Sequence, residues 1–298
     1  MTRTVARYAV VTGANKGIGL ETVRQLASAG INVVLTARDE KRGLQALESL
    51  KASGLSDLVV FHQLDVADAQ SVASLADFIK SKFGKLDILV NNAGIGGMEI
   101  EDKDLLLPVM MKREESSEDE LRKAMTQTYE LAEKCLQTNY YGAKRTTESL
   151  LPLLHLSDSP RIVNVSSTVG KLECVLNEWA KGVFGDAENL TEERVDEVLK
   201  QFLKDFKEGS LEKKGWPKCL GAYIVSKAAM NAYTRILCKK YPAICINSVC
   251  PGYVKTDITG NNGFSTVEEG AANPVRVALF PSGSPSGLFY SQCEASPF

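Results

Sequence analysis

The chain has 298 residues, 44% hydrophobic and 24% charged, the proportions of an ordinary globular domain able to bury a sizeable core. Lys and Arg number 35 against 37 Asp and Glu, so a net charge of -2 gives no electrostatic pull toward nucleic acid or an anionic membrane. No apolar run reaches the roughly 18 residues of a membrane span, and residues 1–7 carry no signal-peptide core, so we expect a cytosolic protein.

The first half alternates strand and helix. Residues 8–12 form a short apolar run that predicts a strand ending in a glycine loop. Helical spacing through Ile18, Val23 and Leu26 follows, closed by Gly30. Residues 31–36 predict a second strand and 40–53 a second helix; residues 58–64 predict a third strand, ending at Asp65. Residues 72–83 predict a helix and 86–90 a fourth strand. Near-continuous Val/Ile/Leu runs alternating with helices predict a parallel sheet covered on both faces. The fold class is α/β, a doubly wound sheet in three layers.

The alternation loosens at residues 98–121, where nine carboxylates meet three basic residues and a solvated surface loop is expected. A long helix over 129–151 and a fifth strand over 161–166 follow. After Gly170, Val195, Val198, Leu199, Phe202, Leu203 and Phe206 recur at helical spacing behind Thr191-Glu192-Glu193, predicting a capped amphipathic helix. Residues 222–239 predict another helix, 243–249 a sixth strand and 287–290 a short final one. We read one domain over 1–298 with insertions at about 96–125 and 171–219. The seven cysteines, Cys135, Cys174, Cys219, Cys238, Cys245, Cys250 and Cys293, are scattered without a C-x-x-C pair. With only His62 and His155 beside them, neither a disulfide framework nor a metal site is expected.

Between the first strand and first helix lie Gly13, Asn15, Lys16, Gly17, Ile18 and Gly19. Glycines there let backbone N–H groups and a helix N-terminus meet a pyrophosphate, which points to a dinucleotide. The second strand ends in Thr36-Ala37-Arg38, where an NAD site would carry an acid. Arg38 and Lys16 together suit a ribose 2′-phosphate, so NADP(H) is the expected cofactor, with Asp39 the one ambiguous neighbour. Asp65 and Val66, and Asn92, Ala93 and Gly94, stand at strand carboxyl ends, where such sheets bind ligands. Tyr223 and Lys227 are four residues apart on one helix face. A cation about 4 Å from a phenol favours the phenolate by roughly 4 kcal/mol at an effective dielectric of 20. That predicts a phenol pKa brought down from about 10 toward a useful acid–base range.

These motifs, in order, resemble those of the short-chain dehydrogenase/reductase family, with its Rossmann-type fold. The T-G-x-x-x-G-x-G loop, N-N-A-G, Ser166-Ser167, Y-x-x-x-K and Pro251-Gly252-Tyr253-Val254-Lys255-Thr256-Asp257 all take part. The resemblance implies that Ser167 polarises a carbonyl oxygen and Tyr223 exchanges its proton. It implies that Lys227 lowers the tyrosine pKa and binds the nicotinamide ribose, and that Asn139 holds a proton-relay water. Pro251, Gly252, Val254 and Thr256 would contact the carboxamide end of the cofactor.

Fifty-five residues separate Ser167 from Tyr223, far more than in most of the family. That insertion resembles the carbonyl-reductase branch and a plant group acting on terpenoid and alkaloid ketones. The resemblance implies a monomer, with the inserted helix over a surface that other members use for assembly. The expected activity is NADPH-dependent reduction of a hydrophobic ketone or aldehyde. Ile95, Met98, Val169, Leu172, Val175 and Trp179, with the regions of Trp216 and Tyr253, are expected to line the pocket. An enone C=C reductase or a non-catalytic NADP(H) sensor are the alternatives. No nucleic acid or membrane partner is expected.

Overall fold

In the computed structural model, which describes residues 6–112, 115–292 and 294–298, β1 (Tyr8–Val11) is the axis of the sheet. Val10 stands in register with Val34 of β2 (Asn32–Ala37) on one side and Leu89 of β4 (Ile88–Asn91) on the other. β3 (Val59–Gln63) pairs with β2. β7 (Arg161–Val165), β8 (Cys245–Cys250) and β9 (Phe289–Ser291) extend the parallel sheet beyond β4. β10 (Glu294–Ser296) adds an antiparallel edge, giving the order β10-β9-β8-β7-β4-β1-β2-β3.

Alternate residues of each strand enter different cores. Val10, Val34, Leu89, Ile162 and Ile246 pack beneath α3 (Ala69–Phe83), α6 (Tyr129–Leu136), α7 (Gly142–Leu154) and α10 (Gly221–Lys240). Val11, Leu35, Val90 and Val163 pack against α1 (Gly17–Ser28), α2 (Glu40–Ala52) and α11 (Val267–Ala278). The strand order reverses between β1 and β4, which opens a crevice at their carboxyl ends.

Residues 98–121 are not a loop. They form α4 (Lys103–Lys112) and α5 (Glu118–Ala124), flanked by β5 (Glu99–Ile100) and β6 (Met125–Thr126), which pair antiparallel. Leu106 and Val109 are buried, and Ser117 with Glu120 makes a reciprocal cap on α5. The described acidic residues here lie mostly on the outside of an amphipathic unit, which their number obscured. The helix expected over 129–151 is α6 and α7 joined by a π turn at Gln137–Tyr141. The readings of residues 1–5 and of Cys293 lie outside the described residues. No helix among the described residues is long and apolar enough to cross a membrane.

The inserted amphipathic helix is α9 (Glu192–Lys207), behind α8 (Glu178–Gly185). The Thr191 hydroxyl caps it and accepts from the Arg194 N–H at 3.3 Å. Val195, Val198, Leu199 and Phe202 are buried against the core that includes α6 and α10. Trp216 itself is buried beneath α9, while Pro217 beside it lines the cleft expected there. Its indole N–H donates to the Asp205 carboxylate at 2.8 Å, and its ring meets Phe202 edge-on at 5.2 Å. Asp205 also accepts from Gln201 at 2.8 Å, so the carboxylate goes underground with partners.

Candidate active site

Thr12 ties the ends of β1 and β4 together. Its hydroxyl oxygen accepts the Asn92 and Ala93 backbone N–H groups, each at 2.9 Å. The Asn92 amide donates in return to the Thr12 and Gly13 carbonyls, at 2.8 and 3.1 Å. This close seam demands glycine. At Gly13, with φ +62°, a Cβ would lie 2.8 Å from the Ala93 Cα; at Gly19 it would lie 2.4 Å from the Asn92 amide nitrogen.

α1 therefore begins at the crevice. The residue before it, Lys16, makes no side-chain cap, and the first turn, which includes Ile18, holds no acid. By contrast α2, α3, α6, α9 and α11 all take side-chain caps. Uncapped N–H groups with a positive end potential fit a pyrophosphate. Asn15 is half-buried in the same loop.

At the end of β2, Arg38 is exposed. Asp39, next along, caps α2, its carboxylate accepting from the Arg42 N–H at 2.9 Å. Lys16, expected to serve a phosphate beside Arg38, has its ammonium on the Asp257 carboxylate. After β3, the Asp65 carboxylate accepts from Ala67 N–H at 2.9 Å. The Val66 carbonyl accepts from Arg145 at 2.7 Å, and the Val66 side chain packs against Gly142.

Asn139 sits in the π turn, fully buried. Its side-chain carbonyl accepts the Ile95 N–H at 2.9 Å, and its amide donates to the Ile95 carbonyl and the Ser226 hydroxyl, each at 3.0 Å. The side chain thus pins the loop after β4 to α10, and its N–H groups are engaged by protein. Its side chain is a positioning group.

Ser167 follows β7, and Tyr223 and Lys227 lie on α10. The Ser167 hydroxyl stands near the Tyr223 phenol and pulls its pKa down. The Lys227 ammonium donates to the Val165 carbonyl at 2.7 Å and stands 5.6 Å from the Tyr223 ring centroid. A Cβ at Gly94 would lie 3.3 Å from the Asn139 side-chain oxygen and 3.5 Å from the Lys227 nitrogen, so all three meet at one point. An ammonium has three donors, and Val165 takes one, which fits a ribose hydroxyl on the remainder. Burial raises the Tyr223 pKa, with Cys250 and Cys135 adding to it and Ser167 only partly opposing. The same burial brings the Lys227 ammonium down to about 8.

Beyond β8, Gly252 has φ +95°, and Val254 bridges to Ser265. Pro251 is buried, and its carbonyl accepts from Asn273 at 3.3 Å. The Thr256 methyl would lie 3.4 Å from a Cβ at Gly17, so this segment touches the glycine loop.

An apolar cleft of about 240 Å³ is lined by residues that include Met110, Val169, Leu176, Ile224 and Tyr253. Val169 and Tyr253 line it as expected, and the expected segments after Gly170 and around Trp216 contribute Leu176, Pro217 and Leu220. Val175 is fully buried in the core, and Trp179 is 43% exposed. Leu107, Met110 and Met111 come from α4, hidden from the sequence reading by the acidic count. Thr12, which organises the crevice, and Ser226 were missed as well; polar groups at such positions give no periodic signal.

This crevice, uncapped helix and Ser–Tyr–Lys group define a dinucleotide-dependent oxidoreductase of the short-chain dehydrogenase kind, and the comparisons agree. The family model described as short chain dehydrogenase matches residues 7–178, and the chain belongs to that family. Short-chain dehydrogenase/reductase 1 of Saponaria officinalis is 61% identical over 98% of this chain and 96% of its own. A (+)-neomenthol dehydrogenase of Arabidopsis thaliana is 58% identical over all of both chains. The solved structure of salutaridine reductase from Papaver somniferum superposes with a TM-score of 0.88 at 53% identity, covering 95% of this chain and 99% of that one. The family match ends before Tyr223 and Lys227, which the full-length relatives span.

Proposed function

We propose that the protein is an NADPH-dependent carbonyl reductase, reversible as an alcohol dehydrogenase, acting on a hydrophobic ketone or aldehyde. The observation that carries this reading is a half-buried phenol, its pKa raised so that it keeps its proton, near Ser167 and close to an apolar cleft whose wall includes Ile224, the residue after Tyr223. Relatives named for neomenthol and salutaridine support a terpenoid or alkaloid ketone as the substrate class.

Gly13, Gly17, Gly19 and the first turn of α1 would hold the pyrophosphate, with Asn92, Ala93 and Gly94 beside them. Arg38 and Lys16 would take the 2′-phosphate, and Lys227 a nicotinamide-ribose hydroxyl. Bound NADPH supplies hydride from its nicotinamide ring to the carbonyl carbon. A carbonyl oxygen accepting from Ser167 and Tyr223 is polarised by both hydroxyls. As the alcohol forms, Tyr223 gives its proton to that oxygen, and the raised phenol pKa keeps the proton in place beforehand. Lys227, charged below about pH 8, stabilises the phenolate left behind.

The seating of α9 on its own domain supports a monomer. Cys135, Cys238, Cys245 and Cys250 are not in disulfides, which suits a reducing cytosol. A panel of menthone, a cyclic diketone, an aliphatic aldehyde and an enone, followed by NADPH oxidation and product analysis, tests the activity. Alcohol products support it. A saturated ketone from the enone alone would make the protein a C=C reductase, and cofactor binding without turnover would make it a sensor.

A further inference from the structure

Asp257 opens the short turn at Asp257–Thr259, directly after Thr256. Its carboxylate reaches back across the chain to the ammonium of Lys16, the residue that precedes α1. Both side chains are largely exposed, at 67% and 59%, so the pair can open without breaking any packing. Its backbone is well placed: Thr256 already lies against Gly17, so the two walls of the crevice meet at this point. The carboxylate is held below its ordinary range by Lys16 first, with Lys103 and Arg42 adding to the effect. An anionic side chain therefore occupies one of the two cations that the proposed 2′-phosphate site offers.

We propose that Asp257 is a cofactor-selectivity residue: it neutralises Lys16 in the cofactor-free protein and is displaced from it by the 2′-phosphate of NADP(H). This rests on the reading of Lys16 and Arg38 as the 2′-phosphate site. The phosphate carries close to two negative charges against the carboxylate's one, so the exchange favours the cofactor, but it begins from an occupied lysine. NAD(H) lacks that phosphate and has no call on Lys16. Asp257 thereby lowers the affinity for NADP(H) alone, and keeps its release easy between turnovers.

Calorimetric titration of the purified protein with NADPH and NADH tests this without any turnover. Asp257→Asn keeps the side-chain shape and removes the charge. Exposed pairs are worth little, so the expected gain is about three- to fivefold in NADPH affinity, with NADH unchanged. The gain shrinks in 1 M salt, where the charges are screened. In a Lys16→Ala background the same substitution has no effect, because the competition runs through Lys16. The inference is overturned if the wild type prefers NADPH while Asp257→Asn leaves that preference as it was. It is also overturned if the gain persists without Lys16, or appears equally for NADH. A wild type that binds both cofactors equally would remove the phosphate reading itself, and the inference with it.

Discussion

The Lys227 ammonium sits 5.6 Å from the centroid of the Tyr223 ring and gives a hydrogen bond to the Val165 carbonyl at 2.7 Å. A helical turn brings the two side chains together, while β7 anchors the cation. The cost of this arrangement is a buried charge, and the Lys227 pKa falls from 10.5 to about 8. Because the folded value lies below the unfolded one, the unfolded chain binds this proton more tightly between about pH 8 and 10.5. Stability from this group therefore rises with pH through that window. Comparing urea unfolding of the cofactor-free wild type with Lys227→Met isolates the effect from other titrations. Between pH 8 and 10 the difference should move by a few kcal/mol in favour of the wild type. A difference that stays constant would show that Lys227 is not destabilised by burial.

The two cations at the crevice make a separate expectation. Arg38→Ala and Lys16→Ala should each weaken NADPH more than NADH, because charge-assisted contacts to the extra phosphate are worth roughly 1.5–3 kcal/mol apiece. The Lys16 loss falls toward the low end, since part of that ammonium's charge is already spent on Asp257. Binding titrations with both cofactors read this directly. Equal losses for NADPH and NADH would mean that neither side chain meets the 2′-phosphate.

The inserted helix predicts both stability and assembly. Phe202, on α9, is fully buried against the Trp216 indole, and Phe206 is only half-buried. Phe202→Asp should cost about 3 kcal/mol or more and lower Tm by roughly 5 °C, with a smaller loss for Phe206→Asp. Light scattering of the wild type should report a mass near 32.4 kDa across micromolar concentrations. A stable tetramer would contradict the monomer, and an unchanged Tm in Phe202→Asp would contradict the buried seat of α9.

Much of this was legible in the sequence because it repeats. The Val/Ile/Leu runs of β1 to β4 and the apolar stripe of α9 carry periods that backbone geometry imposes. The glycine loop, Ser167 and the Tyr223–Lys227 spacing were legible as motifs. What was not legible depends on tertiary placement. Leu107 and Met110 were hidden by the acids around them, though the run Leu105-Leu106-Leu107 was a usable signal. The region of Trp216 reaches the cleft through Pro217, while Asp205 claims the Trp216 indole. Helix spacing says nothing of burial, and in the cofactor-free protein desolvation raises the Tyr223 pKa. The partner of Lys16 lies 241 positions away, beyond any local pattern.

The central claim is that Tyr223 delivers the proton to a carbonyl oxygen while the rest of the site holds cofactor and substrate. Tyr223→Phe keeps the ring over Lys227 and removes that proton alone. With a ketone found active in the substrate panel, kcat should fall by more than about 100-fold, a loss of roughly 2.7 kcal/mol or more in transition-state stabilisation. NADPH affinity, measured by titration of the same variant, should stay within about threefold of the wild type. A variant that kept more than about a tenth of wild-type kcat, a loss under roughly 1.4 kcal/mol, would show that the proton comes from elsewhere.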